Sequence, residues 1–95
     1  MTPTNYERGR RAEHRSVGLL EALGYRCIRA SSSKGPWDVI GISSTDVVAV
    51  QVKQGATRPS KAILEELREI PRPASVRMLV HYWQARAREP EVWEV

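Results

Sequence analysis

The 95-residue chain reads as a mixed α/β domain. Three observations lead there. A helix signature at the start gives way, after Gly24, to runs of β-branched and apolar residues. Two of those runs, Trp37 to Ile42 and Val47 to Gln54, flank the polar turn Ser43-Ser44-Thr45-Asp46, which is a hairpin pattern. A helical segment then separates the second run from another, Val76 to Trp83. That spacing suits a crossover between parallel strands. The expected order is α-β-β-β-α-β(-β), a central mixed sheet flanked by helices.

Each element has its own justification. Thr4-Asn5-Tyr6-Glu7 fits a capping box, with Thr4 at the N-cap and Glu7 at the third helical position. The helix should run to about Leu23 and stop at Gly24. Tyr6, Ala12, Val17, Leu20 and Leu23 mark its expected buried stripe. Tyr25 to Ala30 reads as a first strand, and Ser31 to Pro36 as a polar loop. Trp37 to Ile42 and Val47 to Gln54 follow as strands of strong β-propensity. Gly55 to Pro59 breaks the pattern, and Ser60 to Ile70 reads as a second helix. Pro71-Arg72-Pro73 cannot continue it. Val76 to Trp83 is a fourth strand, and Glu91 to Val95 a short fifth.

The length corresponds to one domain, residues 1–95, with a modest core. No run of 18 or more apolar residues and no signal-peptide pattern is present, so neither a membrane span nor secretion is expected, and the cytoplasm is the expected compartment. A lone cysteine, Cys27, excludes an internal disulfide and a cysteine zinc site, and reads as packing. His14 and His81 have no partner at metal spacing. The net charge of +4 is uneven: residues 1–36 carry seven Lys/Arg against three Asp/Glu, and the remainder is balanced. A basic face of this kind suits a polyanion such as a nucleic acid. Arg8, Arg11 and Arg15 recur at helical spacing and share one side of the first helix, where they can track a phosphate backbone.

The richest chemistry lies between Ser31 and Lys53. Asp38 opens one apolar strand, and Gln51-Val52-Lys53 closes the next. Strand alternation puts Gln51 and Lys53 on the same face. Pairing of the two strands brings Asp38 beside both. A carboxylate, an amide oxygen and a lysine converging at a sheet end suit metal-dependent phosphodiester cleavage. Lys53 beside Asp38 should hold that carboxyl's pKa low.

Order and residues together resemble the PD-(D/E)XK nuclease superfamily, and within it the archaeal-type Holliday-junction resolvases. The matching pieces are Gly9-Arg10-Arg11-Ala12-Glu13, Leu23-Gly24-Tyr25, the serines 31–33, Gly35-Pro36-Trp37-Asp38-Val39-Ile40, and Val48-Ala49-Val50-Gln51-Val52-Lys53. The resemblance implies a restriction-endonuclease-like fold and a Mg²⁺ (or Mn²⁺) site. Asp38 would be the central ligand, Glu13 the outer carboxylate and Lys53 the motif lysine. Gln51 stands where the family usually has Glu or Asp, and is read as a variant ligand. Ser32, Ser33 and Lys34, with Arg8, Arg10, Arg11 and Arg15, are the expected DNA contacts.

The implied function is a metal-dependent DNA endonuclease, a Holliday-junction resolvase acting as a homodimer on four-way or other branched DNA. Three alternatives stay open. One is a virus-type replication-repair or restriction-like nuclease on the same fold. Another is a DNA-binding protein that lost its chemistry at Gln51. The third is a basic module for RNA or protein. Tyr82, Trp83 and Trp93 are expected in the core or in a subunit contact.

Overall fold

The computed structural model describes residues 4–30 and 35–95. Thr4 caps helix α1 (Asn5–Ala22), its hydroxyl accepting the Glu7 N–H at 3.1 Å. This satisfies one of the donors a helix start leaves unpaired. The five strands are β1 (Arg26–Arg29), β2 (Val39–Ile42), β3 (Val47–Gln54), β4 (Val76–Trp83) and β5 (Glu91–Glu94), with α2 (Lys61–Arg68) between β3 and β4. Ser60 caps α2 by accepting the Ile63 N–H.

The strands lie in sequence order, β1-β2-β3-β4-β5. β3 and β4 pair in parallel, from Val47↔Val76 to Gln54↔Trp83, and the other neighbours are antiparallel. The expected hairpin and crossover are both present, and the fold class is the one the sequence implies. The hairpin turn is closed by Ser43, whose backbone N–H donates to the Asp46 carbonyl at 2.9 Å and whose hydroxyl donates to the Asp46 carboxylate at 2.7 Å. That turn chemistry fixes the β2–β3 register.

The core is Leu20 of α1 against Val39, Val48, Val50 and Leu79, with Val17, Tyr25, Cys27 and Val52 packed around it. Each aliphatic side chain fully buried there contributes about 1.5–3 kcal/mol. Cys27 is half-buried, and burial pushes its thiol pKa up. It packs, as its apolar setting suggests. β2 approaches its neighbours closely at Gly41. A Cβ added there would meet Val48 Cγ2 at 3.0 Å and Tyr25 Cβ at 3.2 Å.

The buried stripe of α1 departs from the expectation at both ends. Tyr6 is 74 % and Leu23 is 69 % exposed. Tyr6 lies in the first turn and Leu23 is the C-cap, so neither sits on the part of the helix that covers the sheet. The covered line is Ala12, Ser16 and Leu20, one residue every turn.

A polar residue in that line has a specific task. Ser16 Oγ accepts the Trp83 indole N–H at 2.8 Å and is bonded to His81 Nδ1 at 2.9 Å. All three residues are buried. They bolt α1 to β4 through a satisfied network, and His81 is a packing residue, not a ligand. Tyr82 and Trp83 are likewise core residues.

Burial alone holds the His81 pKa down, from 6.5 to about 4. The folded value lies below the unfolded one. The stability His81 contributes is therefore complete above pH 6.5 and is lost as pH falls toward 4. Acidification across that window should lower Tm, and His81→Gln should flatten that part of the Tm–pH curve. Ser16→Ala strands the Trp83 and His81 nitrogens, at a cost of about 1–3 kcal/mol for an unsatisfied buried group. Its Tm at neutral pH should drop by several degrees, which calorimetry over the same pH series would measure.

Candidate functional site

Asp38 is held from three sides. Its N–H donates to the Val50 carbonyl at 2.8 Å, and its own carbonyl accepts the Ala30 N–H at 2.8 Å. Its carboxylate oxygen Oδ2 accepts the Val52 N–H at 2.8 Å. The first of these bonds is one residue out of the Val39↔Val50 register. A slip of that kind bends a strand end and re-aims the side chain, as β-bulges do. The two bonds to β3 land on Val50 and Val52, either side of Gln51. Asp38 is thereby set against Gln51.

Gln51 Oε1 is buried and has no hydrogen-bond partner among the described residues. A buried acceptor left without a donor costs about 1–3 kcal/mol and calls for a reason. Lys53, two residues on along the same face, is half-buried in register with Tyr82. Its charge acts on Asp38, and so does that of Glu13 from α1. Glu13 itself is fixed by Arg29 of β1, whose Nη2 lies 3.1 Å and Nε 3.2 Å from Oε1.

The pKa of Asp38 is raised above the ordinary carboxylate value, against the expectation from Lys53 alone. Burial is the largest cause. The Val52 N–H opposes it, Glu13 adds to it by like-charge repulsion, and Lys53 gives only a partial offset. The sequence showed the neighbouring cation but not the depth of the carboxyl.

Among the described residues, no three His, Cys, Asp or Glu side chains gather as a metal cluster. The candidate donors are the oxygens of two carboxylates, Glu13 and Asp38, which act on each other electrostatically, and of the Gln51 amide. They fit a hard divalent cation, which takes oxygen donors. The Gln51 oxygen supplies the firmest sign, since a cation would satisfy an acceptor that has no protein donor. The Val52 bond uses Oδ2 of Asp38 and leaves Oδ1 for a further partner.

The arginines of α1 divide. Arg8, Arg11 and Arg15 line one cleft, as their helical spacing suggests, whereas Arg10 is exposed outside it. Arg15 lies over the Trp83 ring, 4.1 Å from its centroid, and its guanidinium donates to the Ala87 carbonyl. Ser32, Ser33 and Lys34 lie outside the described residues. Sequence reasoning missed Arg29 and Ser16. Arg29 shares a face of the edge strand β1 with Cys27, and only the packing of α1 on that strand, 16 residues away in sequence, brings it to Glu13. Among the described residues no helix is long and apolar enough to cross a membrane.

A family model described as "Archaeal holliday junction resolvase (hjc)" matches residues 4–78. Among solved structures, the chain is similar to Archaeoglobus fulgidus Hjc, a Holliday junction resolvase from an archaeal hyperthermophile. The two share 21 % identity and a TM-score of 0.65, over 88 % of this chain and 73 % of that one. No curated protein matches.

The raised carboxyl has a testable consequence. Asp38 binds its proton more tightly folded than unfolded. The stability this gives is complete below the unfolded value of 3.8 and is lost as pH rises through the folded value. At pH 7 the ionised group therefore weighs against folding. Asp38→Asn, whose amide oxygen can still accept from Val52, should raise the Tm of the metal-free protein. Mg²⁺ should raise the Tm of the wild type by mass action and leave Asp38→Asn unmoved. Thermal melts with EDTA and with a Mg²⁺ titration check both expectations.

Proposed function

The chain belongs to the archaeal Holliday junction resolvase family, and on that premise we propose that it is a divalent-metal-dependent endonuclease that cuts four-way DNA junctions as a homodimer. The observation that carries the chemistry is the clamp of Asp38 about Gln51, whose buried oxygen has no partner among the described residues. Asp38 and Gln51, with Glu13 alongside, would hold Mg²⁺ or Mn²⁺. Such an ion neutralises charge on a phosphate and acidifies a water.

The remaining work falls to the chain's own residues. Lys53 places a fixed positive charge in a half-buried position, where it opposes the charge that builds on the phosphate oxygens. Arg29 keeps Glu13 oriented through its ion pair. Arg8 and Arg11 are exposed and meet the phosphate backbone, releasing its counterions. Symmetric cuts across a junction require two such sites related by a two-fold axis, which a homodimer provides. Contacts of this kind read shape and backbone in preference to base edges.

A second reading rests on Gln51 itself. A neutral ligand where a carboxylate is usual favours a protein that binds junctions without cutting them. One experiment separates the two. A labelled four-way junction and the matching linear duplex are incubated with and without Mg²⁺. The endonuclease cuts the junction only with the metal, and the binder shifts it in a gel and leaves it whole.

Two variants sharpen the test. Lys53→Ala should lower the single-turnover cutting rate by about 10²–10³-fold, the scale for removing one electrostatic stabiliser, with junction affinity retained. Gln51→Glu should match or exceed wild-type cutting, most clearly at low Mg²⁺. A folded Gln51→Glu protein that cuts under no metal would exclude a ligand role for this position.

A further inference from the structure

A cleft of about 870 Å³ is walled by Arg8, Arg11 and Arg15 of α1 and by Arg86 of the β4–β5 turn. None of Glu13, Asp38, Gln51 and Lys53 lines it, though Ala12 in its lining precedes Glu13 along α1. Among the described residues, no acidic side chain lines it.

Of the arginines outside the cleft, Arg10, Arg26, Arg68 and Arg88 are exposed, and the other four have work within the fold. Arg29 pairs with Glu13, Arg58 with Glu91, and Arg77 with Glu94. Arg72 donates to the carbonyls of Leu67, Arg68 and Ile70. In the cleft, Arg15 is occupied by Trp83 and Ala87. Arg8, Arg11 and Arg86 have neither an ion pair nor a side-chain hydrogen bond among the described residues. Uncancelled charge inside a concave wall focuses the field toward an incoming anion.

Arg86 stands out by its backbone. Its φ is +66°, in the left-handed region where glycine sits at no cost and an arginine does not. The turn is closed by the Ala87 N–H donating to the Gln84 carbonyl at 3.1 Å. It is also tied to α1, because Arg15 reaches the Ala87 carbonyl. The two walls are thus linked, and Arg86 is held on the cleft side at a cost in local strain. Strain retained at an unpartnered charged residue points to a task outside the fold.

We propose that Arg86 is a phosphate contact, and that a DNA strand lies between the β4–β5 turn and the α1 arginines. This rests on the reading that the protein acts on DNA. The test is anisotropy of a labelled four-way junction over a KCl series, for the wild type, Arg86→Gly, Arg86→Lys and Arg88→Gln. Arg88 is exposed on the same segment but outside the cleft.

Arg86→Gly should fold with an unchanged or higher Tm, since glycine suits the backbone. It should bind the junction several-fold more weakly, with a salt slope smaller by about 1. Arg86→Lys should keep the wild-type slope, and so should Arg88→Gln. Wild-type affinity and slope in Arg86→Gly would overturn the assignment. An equal loss in Arg88→Gln would overturn it too, by showing that net charge alone is read. A wild type that binds but does not cut removes the proposed chemistry and leaves this contact standing on its binding data. A wild type that binds no DNA overturns both.

Discussion

The Val52 N–H that donates to Asp38 fixes more than one side chain. Val52 sits between the residues whose chemistry matters, Gln51 and Lys53. A carboxylate bonded to its backbone must lie against that stretch of β3. The Asp38 backbone is meanwhile bonded to Ala30, just past β1, and to Val50 of β3, so the whole residue is held between these strands. Glu13 arrives from another direction by an independent route. Ser16, three residues further along α1, is anchored to His81 and Trp83 of β4, which sets where the preceding turn of the helix falls. Arg29 completes the placement from β1. The Glu13–Arg29 pair and the Asp38–Val52 bond are each fixed in this way, and Asp38 feels the charge of both Glu13 and Lys53.

Electrostatics follow from that geometry. Two carboxylates, Glu13 and Asp38, act on each other at a partly buried place, and Arg29 and Lys53 stand as their cations. Glu13 and Arg29 are in direct contact. Asp38 is served by a backbone N–H and by the field of Lys53, and burial outweighs both. The less compensated of the two carboxylates is therefore the one set against the unsatisfied Gln51 oxygen. A polar arrangement that is costly without a ligand and satisfied by a cation is characteristic of a binding site more than of a stabilising ion pair.

Much of this was legible in the residues. The Thr4 cap, the Ser43–Asp46 turn and the Gly55 break are local signals, and they placed the elements correctly. Strand alternation placed Gln51 with Lys53, and hairpin pairing brought Asp38 to them. What was not legible depended on distant pairing or on depth. The Ser16 bonds to His81 and Trp83 span 65 and 67 residues, so no local pattern announces them. Tyr6 and Leu23 fit a helical stripe, but the helix projects past the sheet at both ends. Arg29 is unremarkable until the packing of α1 on β1 is known. The sign of the Asp38 shift required knowing how deeply the carboxyl is buried.

Gln51 can be understood through the same charge balance. Glu13 and Asp38 are matched by Arg29 and Lys53, so the set is neutral before any ion enters. A glutamate at position 51 would add a negative charge beside a carboxyl whose pKa burial has already raised. That would deepen the repulsion in the empty site and strengthen its hold on a cation. The amide shifts the balance the other way. It removes one source of repulsion at the expense of an unsatisfied oxygen, and on the proposed reading it would leave cation binding to two charged donors. A divalent ion would then carry a neutral set to +2, and a phosphodiester would bring it to +1. The residual charge is what opposes the additional negative charge developing on the phosphate oxygens. On the proposed reading, a neutral ligand at this place would weaken the grip on the ion while sparing the positive potential that phosphodiester cleavage requires.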